Sequence, residues 1–274
     1  VPYTPVRGRR LWAADQAGRE ALVDAALRFA EAVGASSWHV AFPVEAEAAL
    51  LAEAGLLPQY NVQFHWFNRG YGDFDDYLAI FTAEKRRKVR AERRKVREAG
   101  IEIRALAGDT VSAAEWLRIH ALYADTFRRY GNYPALSAAC LAALGQSLGP
   151  AMQVMAAFRD ETLVAVALCF VGDGVFYGRY WGAAEAVSGL HFELCYYQGI
   201  DYCIRHSLQR FEPGAGGEHK LARGFEPVTL ATWHWVVDSA MRETIRRHLL
   251  RVDTAMQDYR AEAARHLPFR ADSN

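Results

Sequence analysis

The segment from residue 211 to residue 224 constrains the fold of this chain more than any other part of it. It mixes glycines with ionisable side chains: Glu212, Gly214, Gly216, Gly217, Glu218, His219, Lys220, Arg223 and Gly224. Glycine loses the most backbone freedom on folding, and a buried charge needs a partner. A fold tolerates such a segment where backbone must approach a ligand closely. We therefore expect the functional site here.

Composition is that of a soluble globular protein. Of its residues, 51% are hydrophobic and 23% are charged. The length of 274 residues is enough for two compact domains or one large one. No apolar run approaches the length of a membrane span, and no signal peptide is visible. Cys195 and Cys203 lie eight residues apart in one predicted helix, about 12 Å along its axis and too far for a disulfide. Free thiols and a cytoplasmic location are therefore predicted.

Hydrophobic periodicity and turn residues predict an α/β chain. Helices are expected at 15–33, 45–54, 74–81, 84–99, 112–130, 137–148, 190–208 and 238–265. Strands are expected at 37–42, 60–67, 101–106, 152–158, 163–171, 175–181, 210–212 and 228–236. The first helix is expected to show its apolar periodicity through Leu22, Ala25, Ala26, Phe29 and Val33. If 217–221 is extended, Glu218 and Lys220 face one way and His219 the other.

The helix at 84–99 is strongly basic. Residues 85–97 carry nine of the 32 Lys and Arg residues of the chain, and Glu92 is the one acid among them. The sequence Arg-Arg-Lys-Val-Arg occurs at 86–90 and again at 93–97, which puts Val89 and Val96 on one apolar stripe. A solvated face is the common explanation for such a helix. Contact with a polyanion such as tRNA is the alternative.

The candidate catalytic residues are two acids and two histidines: Glu218, His219, Glu193 and His191. A carboxylate with a raised pKa can act as a general base, and Lys220 or Arg223 can stabilise developing negative charge. The alternatives are a solvated Glu218–Lys220 pair and a Glu193 that only complements the helix dipole. No metal is expected, because the spacing of these residues matches no HExxH or CxxC pattern.

Further candidates surround this group. Substrate contacts are expected from His65, Trp66, Arg179, Tyr180, Trp181 and Glu212. Gly182, Ser188 and Gly189 precede the helix at 190, whose free backbone N–H groups can receive an anion such as a phosphate.

Several ordered blocks of the sequence resemble one family. They include Arg179-Tyr180-Trp181-Gly182 and Gly217-Glu218-His219-Lys220, together with residues 63–68, 70–71, 74–78, 85–88, 92–93, 190–198, 211–215 and 223–224. Over about residues 1–250 the chain resembles the bacterial FemAB-like proteins, described as N-acyltransferases of peptidoglycan biosynthesis or recognition.

The resemblance implies tandem acyltransferase domains of the GNAT superfamily, with an α/β fold and a mixed sheet. Residues 1–68 would be the remaining part of an incomplete N-terminal repeat, and 69–274 the repeat that carries the motifs. It also implies an acyl group on acyl-CoA or aminoacyl-tRNA that is transferred to a small-molecule amine or cell-wall precursor. The loop 182–189 departs from the glycine-rich pyrophosphate loop of GNAT enzymes and carries Glu185. A non-catalytic module that binds a cell-wall ligand is the alternative function. No feature of the sequence sets an oligomeric state.

Overall fold

The computed structural model describes residues 5–270, and the elements follow the predicted order. The helices are Gln16–Ala32 (α1), Glu45–Glu53 (α2), Phe74–Ala79 (α3), Ala83–Glu98 (α4), Ala113–Arg129 (α5), Ala138–Leu148 (α6), Leu190–Phe192 (α7), Gln198–Arg205 (α8) and Ser239–Arg265 (α9). The strands are Ser37–Ala41 (β1), Leu57–Phe67 (β2), Glu102–Ala107 (β3), Met152–Arg159 (β4), Thr162–Gly172 (β5), Val175–Ala183 (β6), Arg210–Glu212 (β7) and Glu226–Val236 (β8). Short 3-10 helices occur at Gly108–Thr110, Gly149–Ala151 and Glu218–Arg223.

The described residues divide into two compact units. Residues 5–64, 215–217 and 227–266 form the first unit, and residues 65–214, 218–226 and 267–270 form the second. The boundary predicted at residue 68, with one repeat on each side, stays a prediction.

The first unit packs α1 and α2 with a small sheet in the order β1, β8, β2. β1 and β8 are antiparallel, with His39 opposite His234. Its core is formed by Leu11, Val23, Ala30, Val40, Leu50, Leu51, Leu56, Trp233 and Trp235. The buried Glu47 carboxylate accepts hydrogen bonds from the backbone N–H groups of Arg10 and Leu11. These bonds hold the segment before α1 against α2.

The second unit contains a sheet in the order β7, β6, β5, β4, β3, and residues 66–67 pair with β7. β6 and β7 are parallel, and the other neighbouring pairs are antiparallel. Apolar side chains of α5, α6, β4 and β5 form its main core, centred on Trp116, Ile119 and Leu141. Val89 and Val96 are both buried, so the predicted apolar stripe of α4 is confirmed.

Three local expectations are wrong. On α1 the buried residues are Val23 and Ala30, while Leu22, Ala25, Phe29 and Val33 are exposed, so a stripe about 100° further around the helix faces the core. The predicted helix 190–208 ends at Arg205 and contains a π-helical turn, Glu193–Tyr197. The segment 218–223 is a 3-10 helix rather than extended, so the alternation expected of a strand does not apply to it.

Candidate functional site

The site of the second unit begins where β6 leaves its parallel neighbour. The pairing of β6 with β7 runs from Val175 opposite Arg210 to Tyr177 opposite Glu212, where β7 ends, whereas β6 continues to Ala183. On the other side of β6 the register with β5 shifts, because Leu168 pairs with Tyr180 while Cys169 pairs with Gly178. The extra residue between these two pairs is Arg179. Such bulges bend a strand and are common beside active sites.

A cavity of about 110 Å³ lies at this position. It is lined by Ala167, Cys169, Gly178, Arg179, Tyr180, Trp181, His191, Cys195, Tyr196 and Pro213. The lining therefore includes four of the predicted site residues: Arg179, Tyr180, Trp181 and His191. Both thiols are poor nucleophiles, because burial raises the pKa of Cys169 and of Cys195.

The π-helical turn places the helical wall of the cavity. Cys195 and Tyr196 belong to the turn, and His191 lies in the short helix before it. Single π-helical turns inside longer helices are frequent at functional sites. Gly199 follows in α8, where an added Cβ would collide with the ring of Phe211, so the helix passes close to β7 at this residue.

His191 is a neutral imidazole at neutral pH. Its ring lies edge-on to Trp181 and Tyr196, with centroids 5.2 and 5.5 Å apart. Burial, with further contributions from His219, Arg223 and Lys220, lowers the pKa of His191 to about 4. The cavity wall thus presents an imidazole with one N–H donor and one free-base nitrogen acceptor.

Lys220 and His219 adjoin the cavity wall from the 3-10 helix. The Lys220 ammonium group donates to the carbonyl oxygen of Gly214 at 2.7 Å, and its residue is 2% exposed. Burial lowers the pKa of Lys220 to about 8, so the side chain is still largely cationic at pH 7. Nε2 of His219 shares a hydrogen bond of 2.8 Å with the Tyr196 hydroxyl, and burial, Lys220 and Arg223 lower the pKa of His219.

Two other predicted residues form ion pairs with α4. Arg93 donates from Nε to the Glu193 carboxylate at 3.1 Å, and Gln198 donates to the same oxygen at 2.8 Å. Arg223 pairs with Glu92 and is 4% exposed. Neither Glu193 nor Arg223 lines the cavity.

The remaining predicted side chains lie around this centre. Glu218 is exposed at the first residue of the 3-10 helix. Glu212 is buried, accepts from Arg210 at 2.8 and 2.9 Å and lies 3.9 Å from Nδ1 of His65. Trp66 is also buried and lies edge-on to Tyr77. Among residues 5–270, no three His, Cys, Asp or Glu side chains converge in a metal-binding arrangement.

The loop 182–189 does not fit a pyrophosphate group. An added Cβ at Gly182 would overlap the backbone of Leu122, so this glycine permits close packing of β6 on α5. Glu185 is paired with Arg159 at 2.6 Å. Gly189 has a φ of 85° and faces the backbone of Glu92, while Ser188 is exposed. The loop itself contains no basic side chain to balance a diphosphate.

A second cavity of the same unit, of about 380 Å³, is a groove between α3 and α4. It is lined by Phe74, Asp75, Leu78, Arg90, Arg93, Arg94 and Arg97. Arg90 pairs with Asp75 at 2.8 Å, and the guanidinium group of Arg93 lies over the ring of Phe74. Arg94 and Arg97 are exposed. The groove combines an apolar floor with excess positive charge.

Sequence reasoning missed Pro213 and Glu92. For Glu92 the sequence does contain a signal, because it is the single acid of the basic run 85–97. For Pro213 the signal is its position within the glycine-rich segment.

Comparison with solved structures shows which known folds this one resembles. The fold resembles FemX, with a TM-score of 0.57 and 12% identity over 90% of this chain and 85% of that one. It also resembles L-PGS from Bacillus licheniformis (TM-score 0.54, 13% identity, 85% and 78% covered) and a C-terminal DUF2156 domain from Agrobacterium fabrum (TM-score 0.62, 12% identity, 87% and 79% covered). The predicted α/β fold with a mixed sheet is confirmed.

The family follows from the sequence as a whole. The pattern that defines the FemAB-like family of peptidoglycan biosynthesis/recognition proteins matches residues 1–271, and the chain belongs to that family. A comparison with curated proteins finds no match. Along residues 5–270, no helix combines the length and the apolar character that crossing a bilayer requires.

Proposed function

We propose that this protein is an N-acyltransferase that moves an acyl or aminoacyl group from an activated donor to the amine of a cell-wall precursor in the cytoplasm. The observation that carries the proposal is the cavity beside β6 in a chain of the FemAB-like family. Neutral His191 lines this cavity, and cationic Lys220 lies close enough to contribute to the lowered pKa of His191. This combination offers a proton acceptor and a stabilising charge for one carbonyl group.

The chemistry requires few groups from the protein. A neutral amine attacks the ester or thioester carbonyl carbon, a C–N bond forms, and negative charge develops on the carbonyl oxygen. The bond to the donor then breaks, and the proton lost by the amine ends on the leaving oxygen or sulfur. Lys220 stabilises the oxyanion, and His191 accepts a hydrogen bond from the attacking amine. The 2.8 Å contact of His219 with the Tyr196 hydroxyl offers a relay for the proton.

Glu218 stays a candidate for the general base, and its exposure makes the assignment testable. Glu218→Gln and His191→Gln each remove one candidate base with a near-isosteric side chain. If Glu218 is the base, its variant loses most turnover while His191→Gln retains more. If His191 is the acceptor, the order is reversed.

Of the two donors, we favour aminoacyl-tRNA over acyl-CoA. Two observations support this choice: the loop 182–189 lacks a diphosphate cradle, and the groove on α4 is rich in arginine. Arginine and lysine clusters bind nucleic-acid phosphates. The double variant Arg94→Glu/Arg97→Glu tests the groove, because both side chains are exposed. We expect it to lose tRNA retention on a filter, while Arg128→Glu on the exposed face of α5 retains it.

The activity is tested with a matrix of donors and acceptors. Purified protein is incubated with acetyl-CoA or with charged tRNA, and with a peptidoglycan precursor or a muropeptide, and new amides are sought by mass spectrometry. We expect an amide with charged tRNA and none with acetyl-CoA. Stabilisation by a muropeptide without product from any donor would instead establish the binding-module alternative.

A further inference from the structure

Glu92, the single acid in the basic run 85–97, is turned toward the site rather than toward solvent. Its side chain is 17% exposed. Its two carboxylate oxygens accept from Nη2 of Arg223 at 3.0 and 2.9 Å, and one of them also accepts from the Tyr197 hydroxyl. Arg223 and the Tyr197 hydroxyl both donate hydrogen bonds to this position of α4. A Lys or Arg side chain at this position could not accept them.

Arg223 transmits this contact to the 3-10 helix. Its Nη1 donates to the carbonyl oxygen of His219 at 2.7 Å, and its guanidinium carbon lies 3.5 Å from the ring centre of Phe192. The Arg223 carbonyl oxygen in turn accepts from the Tyr77 hydroxyl at 2.7 Å. The guanidinium is thus held in one orientation by Glu92, and it holds the backbone of His219.

The backbone held in this way carries the two groups that adjoin the cavity. The His219 ring reaches Tyr196 on the cavity wall, and Lys220 is the next residue. Because Lys220 reaches Gly214 with its side chain, a rotation of the peptide at His219 would displace both groups together.

We infer that Glu92 is a positioning residue for the acyl-transfer site, acting through Arg223 on the backbone of His219 and Lys220. The inference rests on the proposed function for its effect on turnover. Its structural part, the orientation of His219, does not depend on any activity.

A plain structural ion pair would behave differently from a positioning pair. Breaking a buried ion pair destabilises a protein because it leaves an uncompensated charge. Loss of positioning has a further effect, because reacting groups that move by about 1 Å lower turnover by up to about 100-fold. Burial, followed by the charges of Lys220 and Arg223, lowers the pKa of His219, so a displaced Arg223 should change the titration of that ring.

The test compares Glu92→Gln with Glu98→Gln. Gln keeps the shape of Glu92 but removes its charge and one acceptor oxygen. Glu98 is an exposed acid on the same helix, paired with Arg94 across one turn at 3.4 Å. We expect Glu92→Gln to lower kcat by about tenfold to 100-fold with KM nearly unchanged, and Glu98→Gln to leave both unchanged.

A second readout needs no substrate. Nitrogen-15 NMR of the histidine rings reports the environment of His219 directly. We expect its ring signals and its titration to shift in Glu92→Gln and not in Glu98→Gln. Unchanged His219 signals, or an unchanged kcat in Glu92→Gln, overturn the positioning role. Shifted signals in a protein that shows no acyl transfer overturn the proposed function and leave the structural part intact.

Arg223→Lys provides the same test if Glu92→Gln does not fold. Lys retains the charge but cannot offer one donor to Glu92 and another to His219 in the fixed geometry of a guanidinium. We expect the same loss of kcat and the same change at His219. Wild-type values for both would overturn the inference.

Discussion

Burial of Lys220 makes the stability of the protein depend on alkaline pH in a defined direction. The pKa falls from an ordinary value of 10.5 to about 8 in the folded chain. Between these two values the unfolded chain binds more protons than the folded one, so stability rises with pH across this window. A shift of this size corresponds to about 3 kcal/mol.

The perturbation that isolates this effect is Lys220→Met, which removes the charge and keeps an unbranched side chain. The free energy of unfolding of both proteins is measured with urea from pH 7 to pH 10.5, with tryptophan fluorescence as the signal. Wild type should gain about 3 kcal/mol relative to the variant over this range. Loss of the hydrogen bond to Gly214 shifts the variant by a constant amount and cancels in the comparison. A difference that does not change with pH would refute a depressed pKa at Lys220.

Three other substitutions test the fold around these sites. Gly182→Ala should lower the free energy of unfolding in urea by about 1–3 kcal/mol, because the added Cβ meets the α5 backbone. Gly172→Ala is the control and should have little effect, because the space around it is open. Equal effects of the two substitutions would contradict the close packing of β6 on α5. Glu47→Ala leaves two backbone N–H groups without their acceptor and should lower the free energy of unfolding by about 2–4 kcal/mol. Glu45→Ala, at an exposed position of the same helix, should change it little. An unchanged stability of Glu47→Ala would exclude this role of Glu47. The Nδ1 atoms of His39 and His234 are 2.7 Å apart, and burial and then His39 lower the pKa of His234. Stability should therefore fall as the pH drops through about 6.5, and His234→Gln should reduce that fall; an acid response identical to that of wild type would exclude the pair.

The order and type of the elements could be predicted because turn residues and periodicity mark them locally. Asp73 illustrates this, since its side chain accepts from the backbone N–H of Asp76 as a helix cap should. The buried face of α1 could not be predicted in the same way. Leu22, Phe29 and Val33 form one apolar stripe, and Val23, Leu27 and Ala30 form another. Both stripes fit helical periodicity, and the neighbours that cover the second one come from β1, α2 and β8.

The candidate site also has a part that the local sequence predicts and a part that it does not. The glycine-rich segment contributes Pro213 to the cavity, and the predicted residues His191, Arg179, Tyr180 and Trp181 also line it. The ion pair between Glu92 and Arg223 joins residues 131 positions apart, and no local pattern encodes such a contact. The return of residues 227–266 to the first unit is likewise a property of tertiary packing.

The central claim is that Lys220, as a cation beside the cavity, promotes acyl transfer. The most direct measurement is the single-turnover rate of amide formation from charged tRNA, followed from pH 6.5 to pH 9.5 in wild type and in Lys220→Met. The wild-type rate should fall with an apparent pKa of about 8, and the variant should form amide at the background rate at every pH. An equal rate in the two proteins would contradict the account.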